Sequence, residues 1–230
     1  MSKYIFSCLF FCFPFLLFAQ EAEDDTVSTS KIANSGHQVR LSFDASKLLL
    51  NQLAENRIAY EGAVDYYLNK ELYAVADLGL GSSVIDYPDL KYKTNNSFLR
   101  LGLDKSLFVR KRPQDWGIGF FGFRYGLAMI NRNEAKYTTD DGLGGITSGT
   151  IAADNFSAHW FELTGGMKLE LIKGVFAGWT VRAKFLLNQK ALGDLKPAYI
   201  AGYGPGEKAT AFDYNFYISY GIRWPSKKKI

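Results

Sequence analysis

The chain holds two histidines, and His159 is the one whose neighbours could do chemistry. Ser157 precedes it by two residues and Glu162 follows by three. A hydroxyl, an imidazole and a carboxylate are the parts of a nucleophilic relay, in which a base activates the hydroxyl and an acid orients the base. No Gly-x-Ser-x-Gly elbow or other corroborating motif accompanies them, and geometry, not proximity in sequence, makes such a relay. A histidine at the rim of a strand is the simpler reading, and no catalytic residue is assigned. Asp140-Asp141-Gly142 lacks the ligand spacing of a calcium loop and reads as a turn. Gly204-Pro205-Gly206 is likewise a turn and not a phosphate cradle. Cys8 and Cys12 both fall in an expected export leader, so the mature chain has no thiol for a disulfide, a nucleophile or a metal. No metal or cofactor is expected.

The elements that would position these residues follow from composition and patterning. Of 230 residues, 47% are hydrophobic and 16% aromatic, with 22 glycines and only 6 prolines. Aromatics at that level suit a pleated surface. The net charge of +4 is mild, and part of it sits in Lys227-Lys228-Lys229. Nucleic acid would need a sustained basic face, and there is none. Lys3 followed by the apolar run Tyr4 to Phe18, with Ala19 before Gln20, predicts a signal peptide over 1–19. The run is short for a spanning helix, which needs about 20 residues. A lipid anchor on Cys12 is disfavoured, because Leu9-Phe10-Phe11 lacks the small residues such a site requires. Residues 20–36 are acidic, then Ser/Thr-rich, and read as a disordered linker. Residues 226–230 form a basic tail.

From residue 37 to 225 the chain alternates, eight times, between apolar and polar parities. The last three runs are the clearest. Phe161, Leu163, Met167, Leu169 and Leu171 oppose Glu162, Thr164, Lys168 and Glu170; Trp179, Val181, Ala183 and Phe185 oppose Thr180, Arg182 and Lys184; Phe212 to Trp224 oppose Asp213 to Arg223. Short connections fall at Asn69-Lys70 and Ile172 to Gly174. Long polar ones fall at 45–56, 82–96, 130–158 and 189–210, with a basic, longer turn over 105–115. Residues 45–56 either make a helical turn or extend the first strand. Short turns at one end and long loops at the other predict an all-β fold: a closed antiparallel up-and-down transmembrane barrel of about eight strands. A soluble carrier barrel in the periplasm also alternates, with its apolar face inside. Three features favour the outer membrane. The apolar parity carries no charge within the strand cores, where one cation facing lipid would cost about 2–4 kcal/mol. The polar parity carries Gly79, Gly81, Gly102, Gly122, Gly126, Gly166, Gly178 and Gly221, which make room inside a narrow cylinder. Tyr66, Trp116, Tyr125, Tyr214 and Trp224 lie near strand ends, where amphipathic rings suit the lipid boundary.

The inward parity holds the cations Arg40, Arg100, Arg124, Lys168, Arg182, Lys184 and Arg223 and the anions Asp44, Glu61, Asp65, Asp77, Asp104, Glu162, Glu170 and Asp213. Buried charges persist when paired, and eight strands leave room only for side chains. The expected site is therefore an interior ionic network of Arg100, Arg124, Glu162, Lys168, Glu170, Arg182, Lys184, Asp213 and Arg223, densest across the sixth and seventh strands.

Several segments together have a family look: Tyr60-Glu61-Gly62, Phe123-Arg124-Tyr125-Gly126, Trp160-Phe161-Glu162, Gly178-Trp179-Thr180-Val181-Arg182 and Pro197-Ala198-Tyr199-Ile200-Ala201-Gly202-Tyr203-Gly204. With the alternating final strand they resemble an uncharacterised family of Bacteroidota outer-membrane barrels, a domain of unknown function. The resemblance implies the fold and the outer membrane, and supplies no activity. Outer-membrane barrels commonly end on an aromatic read by the insertion machinery; here Pro225 to Ile230 follow Trp224. The partners expected are outer-membrane lipid, the barrel-insertion machinery during assembly, and an unidentified extracellular partner. The leading expectation is a non-enzymatic envelope protein with a plugged interior. A narrow channel, a barrel enzyme that modifies lipid A (some carry Ser, His and an acid at the outer rim) and a periplasmic lipid-binding barrel are the alternatives.

Overall fold

Strict alternation lets each strand turn one face to the axis and one outward, and a cylinder is how such strands satisfy both edges. The computed structural model describes residues 36–108, 115–140, 142–143, 145–193 and 195–225. The expected signal peptide, most of the linker and the basic tail lie outside the described residues. The elements are β1 (His37–Asp44), α1 (Ala45–Leu53), β2 (Arg57–Asn69), β3 (Leu72–Asp86), β4 (Leu90–Ser106), β5 (Ile118–Arg132), β6 (Ala135–Asp140), β7 (Ile146–Ile151), β8 (Asp154–Ile172), β9 (Val175–Leu186) and β10 (Thr210–Trp224). Eight of them run antiparallel in the order β3-β2-β1-β10-β9-β8-β5-β4, and β3 pairs β4 to close the ring. β6 and β7 form a hairpin beyond the rim, joined to β4 at Leu90 and Lys91.

The loop end differs from the sequence expectation in three ways, and it takes the helical one of the two alternatives left open for 45–56. The connection at 82–96 is mostly strand: β3 and β4 stay paired as far as Asp86 and Lys91. The connection at 130–158 likewise shrinks, because β5 and β8 pair out to Arg132 and Asp154 before the β6–β7 hairpin begins. Residues 45–53 form a helix, capped by Asp44, whose carboxylate accepts from the Ser46 amide at 2.9 Å. Residues 195–206, expected as polar loop, fold inward as a strap that buries Tyr199, Ile200, Ala201 and Tyr203. At the turn end, the tight turn is Lys70-Glu71, with Asn69 paired to Leu72. Of the basic connection, residues 109–114 lie outside the described residues.

The outward parity is apolar on all eight barrel strands, with Leu101, Phe123, Leu163, Val181 and Phe216 all exposed. Toward the loop end it turns polar, at Lys93, Asn95 and Ser97 on β4, Asn131 on β5 and Asn155, Ser157 and His159 on β8. Phe161 to Leu171 on β8 run about 33 Å along the strand, or about 25 Å of height at a tilt near 40°. Inside, the glycines face the largest side chains across the ladder. Gly79 opposes Phe98, Gly102 opposes Arg124, Gly126 opposes Trp160, Gly166 opposes Phe120 and Gly178 opposes Lys168. A β-carbon at Gly126 would collide with the Trp160 indole. One aromatic departs from the expectation. Trp116 is buried inside the turn end, edge-on to Tyr67 with ring centroids 5.5 Å apart, so it is not a rim residue.

Candidate functional site

The interior is built in three layers. At the turn end Tyr67, Tyr73, Val75, Trp116, Ile118, Phe120 and Phe176 form an apolar floor. At the loop end Phe98, Ala128, Ile130, Ala158, Trp160 and the strap form an apolar cap. Between them the guanidiniums of Arg100, Arg124 and Arg182 meet the carboxylates of Glu61, Asp77, Asp104 and Glu162. Every one of these side chains is no more than 2% exposed. Asp77 is the hub, with Arg124 Nε at 3.0 Å, Arg100 Nε at 3.2 Å and Arg182 Nη1 at 3.4 Å. Arg124 forks onto both oxygens of Asp104, at 2.7 and 2.9 Å, the bidentate geometry that favours arginine over lysine. Arg182 reaches Glu162 at 2.8 Å, Asn215 at 2.8 Å and the Tyr217 hydroxyl at 2.8 Å. Arg100 pairs with Glu61, which also accepts from Tyr217. The Trp160 indole donates to Glu162 at 2.7 Å. These neutral donors offset the one carboxylate in excess of the guanidiniums.

The remaining expected residues gather elsewhere. Lys168 lies nearer the floor, where it and Arg40 share Asp65 at 2.7 and 2.6 Å. Lys184 faces Glu162 across the ladder but turns to Asp213, at 2.9 Å. Glu170 and Arg223 pair with each other at 2.6 Å near the turn-end rim and are partly exposed, apart from the central layer. The densest pairing therefore crosses the barrel axis and does not follow β8 and β9. Side chains inside a cylinder this narrow reach the opposite wall, so Arg182 on β9 meets Asp77 on β3.

The strap is held by donors from the wall. Its Gly202 carbonyl accepts from Arg100 at 3.1 Å and Lys184 at 2.8 Å. The Tyr199 carbonyl accepts from Asn96 at 3.1 Å and the Leu195 carbonyl from Arg132 at 3.0 Å. Gly202 takes a φ of +78° and lies against the Phe98 ring, where a β-carbon would approach within 2.6 Å. The sequence reading missed this plug. Its signal was the apolar run Ala198-Tyr199-Ile200-Ala201 inside a segment taken as solvated. Lys47 was also missed: its ammonium enters the mouth from α1 and reaches Asp213 at 3.0 Å.

The Ser157–His159–Glu162 set does not assemble. His159 faces outward on β8, with the Tyr125 hydroxyl at 2.8 Å from Nδ1 and Ser157 at 3.4 Å from Nε2. Glu162 is fully buried on the other face of the same strand. The atom that should orient the imidazole is a phenol, and the carboxylate is behind the sheet. Asp140 accepts from the Gly142 amide at 2.9 Å, a side-chain turn, while Asp141 lies outside the described residues. Among the described residues no group of three or more His, Cys, Asp or Glu could hold a metal ion. His37, Tyr66 and Trp224 form a triangle of rings on the outer face of the turn end, with His37 at 6.2 Å from Tyr66 and 5.9 Å from Trp224 and those two 6.3 Å apart.

Among solved structures, Neisserial surface protein A (NspA) aligns at a TM-score of 0.35 and 10% identity, over 83% of this chain and 96% of that one. The N-terminal β-barrel domain of Pseudomonas aeruginosa OprF aligns at a TM-score of 0.30 and 11% identity, over 83% of this chain and 99% of that one. No curated protein matches the chain. A family model covers residues 1–229, and the chain belongs to that family, DUF6048, a domain of unknown function.

Proposed function

We propose that this is an integral outer-membrane protein whose loop end faces the exterior, and that it acts as a closed, non-enzymatic scaffold for surface contacts. One observation carries the reading: the polarity of the cylinder is inverted relative to a soluble barrel. Arg40, Arg100, Asp104 and Glu162 are 0% exposed around the axis, while Leu101 is 54% exposed and Phe123 51% exposed on the outside. In water that outer belt would be a contiguous apolar patch around the whole molecule, far beyond what a monomer tolerates. In a bilayer it is the solvated surface; the ring is closed, and where β1 stops short between β2 and β10 the α1 helix fills the gap, its Asn51 side chain bonding the Ala59 amide and carbonyl. The about 25 Å belt on β8 matches the apolar band of such barrels.

The filled interior argues against passage of solutes, and the separation of Glu162 from His159 argues against acyl chemistry at the rim. Function is then left to the exterior, where the β6–β7 hairpin projects beyond the barrel. Fractionation of cells tests the reading directly. The full chain should sediment with the outer membrane, and unboiled protein should migrate apart from boiled protein in a denaturing gel. Recovery from the periplasm in soluble form would overturn the assignment. In planar bilayers the purified protein should show no conductance above background, and steady single-channel currents would establish the channel alternative instead. Removing residues 133–153 should leave a heat-modifiable barrel; loss of assembly would make the hairpin structural and end its role as a contact surface.

A further inference from the structure

The loop-end rim beside α1 carries a cavity and a groove that nothing in the ionic layer uses. The cavity, about 110 Å³, lies between α1 and the strap, and its charged lining is Lys47, Arg57, Lys184 and Asp213. Asp213 is shared by two ammoniums, Lys47 at 3.0 Å and Lys184 at 2.9 Å. Arg57 has no carboxylate partner among the described residues and rests its guanidinium over the Tyr199 ring at 4.7 Å. The next carboxylate, Glu61, is engaged by Arg100 and Tyr217. Three cations and one anion line the space, and with the spare carboxylate charge of Glu61 acting on Lys47 the positive charge left unmatched is that of Arg57.

The groove, about 700 Å³, runs outside the wall between α1 and the outward face of β9 and β10, along Leu49, Leu53, Val181, Phe212 and Tyr214. Leu50, Phe212 and Asp213 line both spaces, so the two adjoin. Val181, Phe212 and Tyr214 belong to the same outward parity as the apolar belt, and the groove is therefore continuous with it. Leu49 at 64% and Leu53 at 80% exposure turn the helix's apolar side to the same space. A cationic recess beside a hydrocarbon-facing groove, at the seam where β10 runs on past the end of β1, is complementary to one kind of molecule, an amphiphile with an anionic head and an acyl tail.

We propose that this rim binds a lipid with an anionic headgroup, whose anion sits at Lys47 and Arg57 and whose acyl chain lies in the groove between α1 and β9–β10. The inference rests on the membrane reading above and names the lipid contact of that surface. Lys184 can retain Asp213 when Lys47 turns to the ligand. Arg57 needs to give up no ion pair, only its place over Tyr199, which makes it the primary anion contact.

The full chain, folded in a nonionic detergent, is titrated with dilauroyl phosphatidic acid, dilauroyl phosphatidylcholine and inorganic phosphate, with bound lipid read by native mass spectrometry. Saturable binding of one phosphatidic acid per chain, about tenfold tighter than the zwitterionic lipid of the same chains, is expected from one charge-assisted contact. Arg57→Gln and Lys47→Gln should each weaken it about tenfold, by loss of such a contact. Leu49→Asp should also weaken it, with all three variants keeping the unboiled mobility of the parent. Equal affinity for both lipids, or unchanged binding by the two cation variants, overturns the proposal. Displacement by inorganic phosphate at the lipid's own concentration overturns it too, because the chain would then contribute nothing. A protein that inserts into dilauroyl phosphatidylcholine vesicles and is heat-modifiable, yet shows no preference, refutes only this inference; failure to insert refutes the membrane reading beneath it.

Discussion

The two apolar layers that seal the ionic one are made by different means. The floor comes from the walls: Tyr67, Tyr73, Val75, Ile118, Phe120 and Phe176 are strand residues, and Trp116 alone enters from the adjoining connection. The cap comes largely from one excursion of the chain, the strap carrying Tyr199, Ile200, Ala201 and Tyr203, laid over Phe98 and Trp160. Floor residues are placed by strand pairing and cannot leave without opening the ladder. The strap is held by side-chain donors to its carbonyls and by ring contacts, and can in principle lift as a unit. The difference teaches where such a protein has freedom to move: at the loop end, above a middle layer that tolerates no loss.

The largest effect belongs to that middle layer. Arg182→Met leaves Glu162 and Asp77 short of a donor and takes from the Asn215 Oδ1 and the Tyr217 hydroxyl the donor each accepts from, in a site shielded at both ends. Removing one member of a buried ionic set costs about 3–5 kcal/mol, because the partners stay buried and uncompensated. Urea unfolding in vesicles should show that loss. Replacing Arg124 and Asp104 together by Met and Leu should cost less, since the bidentate charges leave together and Asp77, which loses Arg124, keeps Arg100 and Arg182. If the single and the paired replacements were equally harmful, packing and not charge would hold this layer.

Next come the two seals. Trp160→Ala and Trp116→Ala each delete a large buried aromatic, worth about 3 kcal/mol at most sites. Their consequences should diverge. Trp160 touches Tyr203 with ring centroids 5.7 Å apart, so its loss loosens the strap and should speed amide exchange over 198–204 selectively. Trp116 packs on Tyr67, and its loss should speed unfolding of the whole barrel while leaving strap exchange near the parent's. Equal strap exchange in the two variants would mean that the cap and the floor are one cooperative unit.

What the sequence made legible follows the same division. Alternation along β8, β9 and β10 shows which side chains point inward, and the glycines on that parity mark where large partners lie opposite. It even separates His159 from Glu162, since an odd and an even position on one strand face opposite ways. Cross-axis partners such as Asp77 and Arg182 are not legible, because period-two patterning fixes a face but not which distant strand lies across the bore. The strap was hidden for another reason. Its burial depends on carbonyls finding Arg100, Lys184, Asn96 and Arg132, residues far away in sequence, and loop composition does not report that. Trp116 lies just before β5, where parity has not yet begun, and its aromatic type alone suited either the rim or the core.

A smaller effect separates the cap's ionic tie from its packing. Burial opposes the Lys47 charge, but Asp213 and Glu61 outweigh it and hold the pKa above the ordinary lysine value of 10.5. A raised folded-state pKa adds stability that is complete below the unfolded value and drains away as pH rises through the folded one. Tyr199 and Tyr203 shift the same way because burial disfavours the phenolate, Tyr203 being pushed up to about 12. Their losses share the alkaline window, so the informative quantity is the difference between the parent and Lys47→Met. That difference should be constant at roughly 1 kcal/mol through neutral pH, as for one charge-assisted hydrogen bond, and should close above the lysine value. A difference that persists unchanged at high pH would assign Lys47 to packing alone.

The smallest effects lie in two turn-end turns that handle the same backbone demand unequally. Gly174 takes a φ of +84°, where glycine has no β-carbon to strain. Lys70 and Glu71 take +47° and +61° without that advantage, in a two-residue turn of the kind that favours Asn-Gly. Lys70→Asn should therefore stabilise the barrel by about 0.5 kcal/mol, because asparagine accepts the left-handed region more readily. The Lys70 carbonyl that accepts from Lys105 is backbone and survives the change. Gly174→Ala should do the reverse, losing about 1 kcal/mol where φ is positive. Opposite signs from two substitutions at the same end of the barrel would show that its turns are tuned residue by residue; a destabilising Lys70→Asn would mean that the lysine side chain itself holds the hairpin, and that the strain at 70–71 is compensated by contacts of its own.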